Sequence, residues 1–163
     1  MIKRVLTVLS LVILGLATGG QAANAAPFDP TPYCRPYMGL PYVDSGPTYT
    51  GGGRYQFDVE AAGGMHCNGA AYKVSVSVTL HYSTTSGGGT GTTTGSTKTC
   101  GDSCENTAHY MRTSLFCGYH YTYDDYATVN YTWQRYSSDS PVSGSLNGGH
   151  TTGSSYNPPG VCT

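Results

Sequence analysis

Charge is the first thing this sequence is short of. Only eight Lys and Arg and nine Asp and Glu occur among 163 residues, and apart from Lys3-Arg4 the basic residues stand singly. A weakly acidic chain without a basic stripe is a poor partner for nucleic acid or for an anionic membrane surface. Bulky aliphatic residues are scarce as well. Beyond residue 25 there is no Ile, and the only Leu are Leu40, Leu80, Leu115 and Leu146. No window carries a sustained 3.6-residue apolar period, which argues against an amphipathic helix anywhere in the chain. The longest apolar run, Val5 to Ala17, falls well short of the roughly 20 residues needed to span a bilayer.

That run has another use. Lys3 and Arg4 precede it, a Gly-Gly break follows, and Ala23-Asn24-Ala25 places small residues at both recognition positions of a cleavage site. Residues 1–25 therefore read as a secretory signal, and cleavage after Ala25 leaves 138 residues. Two cations leave with the leader. Arg35, Arg54, Lys73, Lys98, Arg112 and Arg135 remain against nine carboxylates, a formal charge of −3. The expected location is extracellular, with no membrane insertion.

All six cysteines, Cys34, Cys67, Cys100, Cys104, Cys117 and Cys162, lie beyond the leader. An even count in a small exported chain is a disulfide framework; six cysteines allow fifteen pairings, among which the sequence does not choose. Bridges would compensate for a thin core, each long closed loop adding on the order of 3–4 kcal/mol.

From Pro27 to Pro47 the chain reads PFDPTPYCRPYMGLPYVDSGP, with six of the nine prolines. Proline fixes φ, removes a donor and biases its predecessor to extended geometry, so residues 26–50 are expected as an extended Pro/Tyr-rich arm unsuited to a central strand. Residues 51–163 are expected as a β-sandwich domain. In RYQFDVEA, Tyr55, Phe57, Val59 and Ala61 alternate with Arg54, Gln56, Asp58 and Glu60. In YKVSVSVTLHY, Tyr72, Val74, Val76, Val78, Leu80 and Tyr82 alternate with polar residues. Period-2 alternation with one wet face is the signature of an antiparallel strand. Asn106 to Cys117 reads as a weaker strand. Ala127, Val129, Tyr131 and Trp133 mark another, with Asp124-Asp125 as a turn or a bulge. Residues 83–99, almost wholly Ser, Thr and Gly, read as a long loop, and the residues from Ser137 as a polar tail. The expected fold is an all-β, disulfide-stapled antiparallel sandwich of five to seven strands carrying an extended Pro/Tyr-rich N-terminal arm.

Chemical motifs do not survive close reading. Gly101-Asp102-Ser103 matches part of a trypsin-like nucleophile motif, but Cys104 and Glu105 replace the glycines that should follow. An Asx-type turn between two bridged cysteines accounts for these residues better. Cys100-x3-Cys104 with His109 has passable zinc spacing, yet exported thiols pair with each other. His66, His81, His109, His120 and His150 form no two-histidine ligand pattern. Asp124 and Asp125, adjacent on a strand, point to opposite faces and cannot converge on a glycosidic bond; a solvated turn is the expected assignment. No catalytic residue, metal or cofactor is expected.

Tyrosine is enriched instead: fifteen, all beyond the leader, with a single Trp. A tyrosine ring is rigid, apolar in body and polar at its tip, which suits contact surfaces. Tyr55, Tyr72, Tyr82 and Tyr131 are expected to be buried, and the arm and the 119–123 ladder to be exposed. The candidate partner-binding residues are Tyr33, Arg35, Pro36, Tyr37, Met38 and Tyr42. An arginine beside a bridged cysteine also resembles a protease-inhibitor loop, although Pro36 makes Arg35-Pro36 a poor bond to cut.

The layout of a leader, an aromatic and proline-rich segment at Pro27–Pro47, and Tyr-rich strands from Arg54 onward resembles the small adaptor subunit of actinobacterial umbrella toxin particles. The resemblance implies a non-enzymatic β-domain joining a large toxin polypeptide to a lectin-type subunit with a degenerate trypsin-like domain, and an N-terminal arm that docks on the latter. The expected function is thus a secreted, non-enzymatic adaptor. The alternatives are an inhibitor of a serine protease or glycosidase, through Arg35, and a carbohydrate-binding module stacking sugars on the tyrosine ladder and Trp133.

Overall fold

A computed structural model of the chain describes residues 33–85, 89–155 and 160–162. The expected leader and residues 26–32 of the expected arm lie outside the described residues. Nine strands and no helix occur among those described: β1 (Cys34–Met38), β2 (Tyr42–Gly51), β3 (Arg54–Cys67), β4 (Lys73–Thr84), β5 (Thr90–Thr94), β6 (Lys98–Cys100), β7 (Cys104–Phe116), β8 (Tyr121–Gln134) and β9 (Val142–Ser155). All pairings are antiparallel.

Two sheets form on one plan: a long strand is flanked on one side by another long strand and on the other by two short ones end to end. In the first sheet β3 pairs with β7, while β2 and β1 share its opposite edge. In the second, β4 pairs with β8, β5 and β6 share its other edge, and β9 lies beyond β8. The alternation anticipated in β3 and β4 holds. Tyr55, Phe57, Val59 and Ala61 meet Val74, Val76, Val78 and Leu80 between the sheets, and all eight are buried. Small β-branched and aromatic side chains fill the gap between sheets without Ile.

Bulges adjust what faces inward. Between Tyr55–Leu115 and Phe57–Arg112 the β7 side has one extra residue, so Arg112 and Leu115, three apart, both point into the core. Arg112 is almost wholly buried, and its Nη2 donates to both oxygens of Asp125, at 2.6 and 2.7 Å. This corrects the solvated-turn reading of Asp124-Asp125. The two lie within the single strand β8, and their opposite orientations send Asp124 outward and Asp125 into the sandwich.

The bridges are Cys34–Cys67, Cys100–Cys104 and Cys117–Cys162, with no free cysteine. The first ties β1 to the far end of β3. The second clamps the turn at which the chain passes from β6 in the second sheet to β7 in the first. It holds Gly101-Asp102-Ser103 as a connection, and Ser103 Oγ accepts a hydrogen bond from the Cys67 amide at 2.8 Å.

Two polar segments and one tyrosine depart from expectation. The 83–99 loop contains β5 and the start of β6, the tail from Ser137 contains the 14-residue β9, and Tyr72 is 60% exposed rather than buried. Strands so poor in side chains are covered by tyrosines from their neighbours. Tyr82 lies opposite Gly91, Tyr131 opposite Gly144 and Tyr123 opposite Gly153, each ring occupying the space where a β-carbon would stand. The neighbour's ring supplies the contact that the glycine lacks.

Candidate interaction surface

The Pro/Tyr-rich segment is extended, as its prolines dictate, but residues 34–51 do not stand off the domain. They run along β3 as its edge, so pairing continues across the expected boundary at residue 50. Pro36 lacks an amide to donate and is tolerated there because an edge strand needs only one side paired. Alternation then divides the expected contact residues. Arg35 and Tyr37 point out of the first sheet, whereas Cys34, Pro36 and Met38 turn toward the core. Met38 is packed against the core and fills the space beside Gly63 and Gly148, so it is a closing residue of the sandwich. Tyr33 is half-exposed, sets its ring edge-on to Trp133 at 6.5 Å, and carries the Arg35 guanidinium 5.2 Å above it. Arg35 therefore lies in a paired strand and not at the tip of a loop.

After the kink at Gly39–Pro41, pinned by Thr151 Oγ1 donating to the Pro41 carbonyl, β2 continues along β3. Among the described residues its backbone pairs with no strand but β3, and nine of its ten residues are exposed. Three register shifts and Pro47 interrupt the pairing. Tyr42, Val43 and Tyr49, with neighbouring Leu40 and Tyr37, are between about a third and three-fifths exposed. Scattered apolar side chains on a surface mean little, but several along one edge mark a contact region.

Beside these rings stand carboxylates. Tyr37 donates its hydroxyl to Glu105 at 2.6 Å, reaching across β3 at Gly64. Burial, then the Glu105 carboxylate, pushes the Tyr37 phenol up to about 12. A hydrogen bond to Glu60 raises the Tyr42 phenol too, helped by the charges of Asp44 and Glu105. His109 of β7 lies between Asp58 and Glu60, with Nδ1 3.3 Å and Nε2 3.5 Å from their oxygens. Asp44, Asp58 and His109 bring one ligand atom each within 4.8 Å of one another. Among the described residues no lysine or arginine pairs with Asp44, Asp58, Glu60 or Glu105. The outer face of the first sheet is thus a tyrosine and carboxylate surface contributed by β1, β2, β3 and β7.

Sequence reading put Tyr37 and Tyr42 at this surface but not its acidic half. The alternation of β3 did mark Asp58 and Glu60 as outward-facing. Nothing in the sequence places Asp44, Glu105 and His109 beside them, because those contacts span three strands.

The 119–123 ladder is not one contact surface. Tyr119 is exposed, Tyr121 is buried and accepts a hydrogen bond from the Phe116 amide at 2.8 Å, and Tyr123 covers Gly153. Trp133 is partly buried against the core. The aromatic feature of the second sheet's outer face is a stack of His81, Tyr126 and His150 across β4, β8 and β9, with ring centroids 4.3 and 4.7 Å apart. The rings stack on each other, among the serine and threonine side chains of β4, β8 and β9.

No family model, no curated protein and no solved structure matches this chain.

Proposed function

We propose that this protein is an exported, non-enzymatic interaction module, acting as an adaptor in a secreted toxin assembly, and that it meets its protein partner through the β1–β2 edge. The observation that carries the reading is β2: a ten-residue strand with a single neighbour, exposed along nearly its whole length and bearing Tyr42, Val43 and Tyr49. A strand of that length gains little from burying so few side chains, and the rings it presents suit a contact surface. Three disulfides fit an extracellular setting. No helix among the described residues is long and apolar enough to cross a membrane. The resemblance of the sequence layout to that of umbrella toxin adaptors is what suggests the assembly role.

The test is co-purification of the tagged protein from its native culture supernatant, compared with a Tyr42→Ser/Tyr49→Ser variant. Stable partner capture by the wild type and at least tenfold less by the folded variant is the expected result. Equal capture by both would remove the β2 edge as the contact.

A further inference from the structure

We infer that the partner docks an arginine-bearing segment onto the tyrosine and carboxylate face beside β2. The inference rests on the proposed β1–β2 contact and specifies its chemistry. Asp44, Asp58, Glu60 and Glu105 gather on one face, and His109 is the only basic side chain paired with any of them among the described residues. Each carboxylate offers about four lone-pair sites, so the hydroxyls of Tyr37 on Glu105 and Tyr42 on Glu60, with the His109 ring beside Asp58 and Glu60, do not saturate them. The face therefore keeps unspent acceptor capacity next to the rings of Tyr37 and Tyr42.

Carboxylates beside exposed tyrosine rings select a planar cation. A guanidinium stacks on an aromatic face and bonds a carboxylate through two parallel N–H groups, which an ammonium cannot do. The chain itself shows the mode, since Arg35 lies over Tyr33 and Arg54 over Phe116, at 5.2 and 4.5 Å. Backbone pairing is not the recognition device. Pro47 lacks a donor and the three register shifts disrupt the outer ladder of β2, which blunts strand addition. Recognition falls to side chains, with charge complementarity setting the partner's chemistry.

The probe is a twelve-residue peptide alternating Arg and Ser, followed by fluorescence anisotropy and by amide chemical shifts of the full chain in EDTA. Its isosteric neutral control replaces every Arg with citrulline. Saturable binding is expected, with shifts centred on Tyr37, Tyr42, Asp44, Asp58, Glu60 and Glu105. Binding should weaken steeply with salt and be at least tenfold weaker for the citrulline peptide. Asp44→Asn/Glu105→Gln, at exposed positions, should weaken it similarly with the fold unchanged by circular dichroism. Asp58→Asn/Glu60→Gln provides a second variant on the same face. No binding, equal binding of the citrulline peptide, or shifts confined to another face would overturn the inference. If Asp44→Asn/Glu105→Gln captures the native partner normally while Tyr42→Ser/Tyr49→Ser does not, the arginine chemistry fails and the β2 contact stands.

Discussion

Tyr131 lies over Gly144. The two are directly opposed on β8 and β9, and a β-carbon on Gly144 would stand 2.5 Å from the tyrosine hydroxyl oxygen. The same relation recurs between Tyr82 and Gly91 on β4 and β5. Sheet edges made of Gly, Ser and Thr have little to bury, and in this protein their neighbours' rings supply the missing contact. Three of the fifteen tyrosines, Tyr82, Tyr123 and Tyr131, are used in this way.

Gly144→Ala should therefore lower stability by about 1–3 kcal/mol, the usual cost of forcing atoms into a filled site. In a Tyr131→Ala background the same glycine substitution should cost less, because the clash partner is gone. Thermal melts of the two single variants and the double variant measure the coupling. Additive losses would show that the ring and the glycine are independent.

The Arg112–Asp125 pair lies inside the sandwich, with the rings of Phe57, Tyr110 and Tyr123 5.3–5.7 Å from the guanidinium carbon. Removing one partner strands a buried charge. Asp125→Ala is expected to cost roughly 3–5 kcal/mol, whereas Arg112→Met/Asp125→Leu should be near neutral or more stable. Denaturant titration of both variants checks this, and a double variant as unstable as the single would refute it.

The Tyr37 phenol, pushed up to about 12 by burial and Glu105, makes a prediction in alkali. Its folded value exceeds the ordinary tyrosine value of 10.0, so its contribution to stability is complete below pH 10 and is lost as pH climbs through about 12. Glu105→Gln removes the charge and should bring the Tyr37 titration down toward 10. Carbon-13 shifts of labelled tyrosine resolve the individual phenol, and an unchanged Tyr37 titration in that variant would show that Glu105 has no part in the shift.

The sequence by itself determined the fold class, because period-2 alternation at 54–61 and 72–82 can bury one face only as a half-wet β-sheet. Its six cysteines, an even count in a small chain, pointed to a stapled domain, and all six are paired. Its prolines at 36, 41 and 47 determined that the N-terminal segment would be extended and kept from a sheet centre. Tertiary structure decided the rest. The Ser/Thr/Gly stretches became β5 and β9 because tyrosines on adjacent strands cover them, a pairing that no local pattern announces. Asp125 went inside because a bulge in β7 turned Arg112 to meet it. The expected arm became a sheet edge because the free side of β3 accepts β1 and β2, and Cys34 holds β1 there. The same pairing set Tyr37 and Tyr42 beside Asp44, Asp58, Glu60 and Glu105. Side chains far apart in the chain share a face only through strand register, and register is fixed by the packed sandwich.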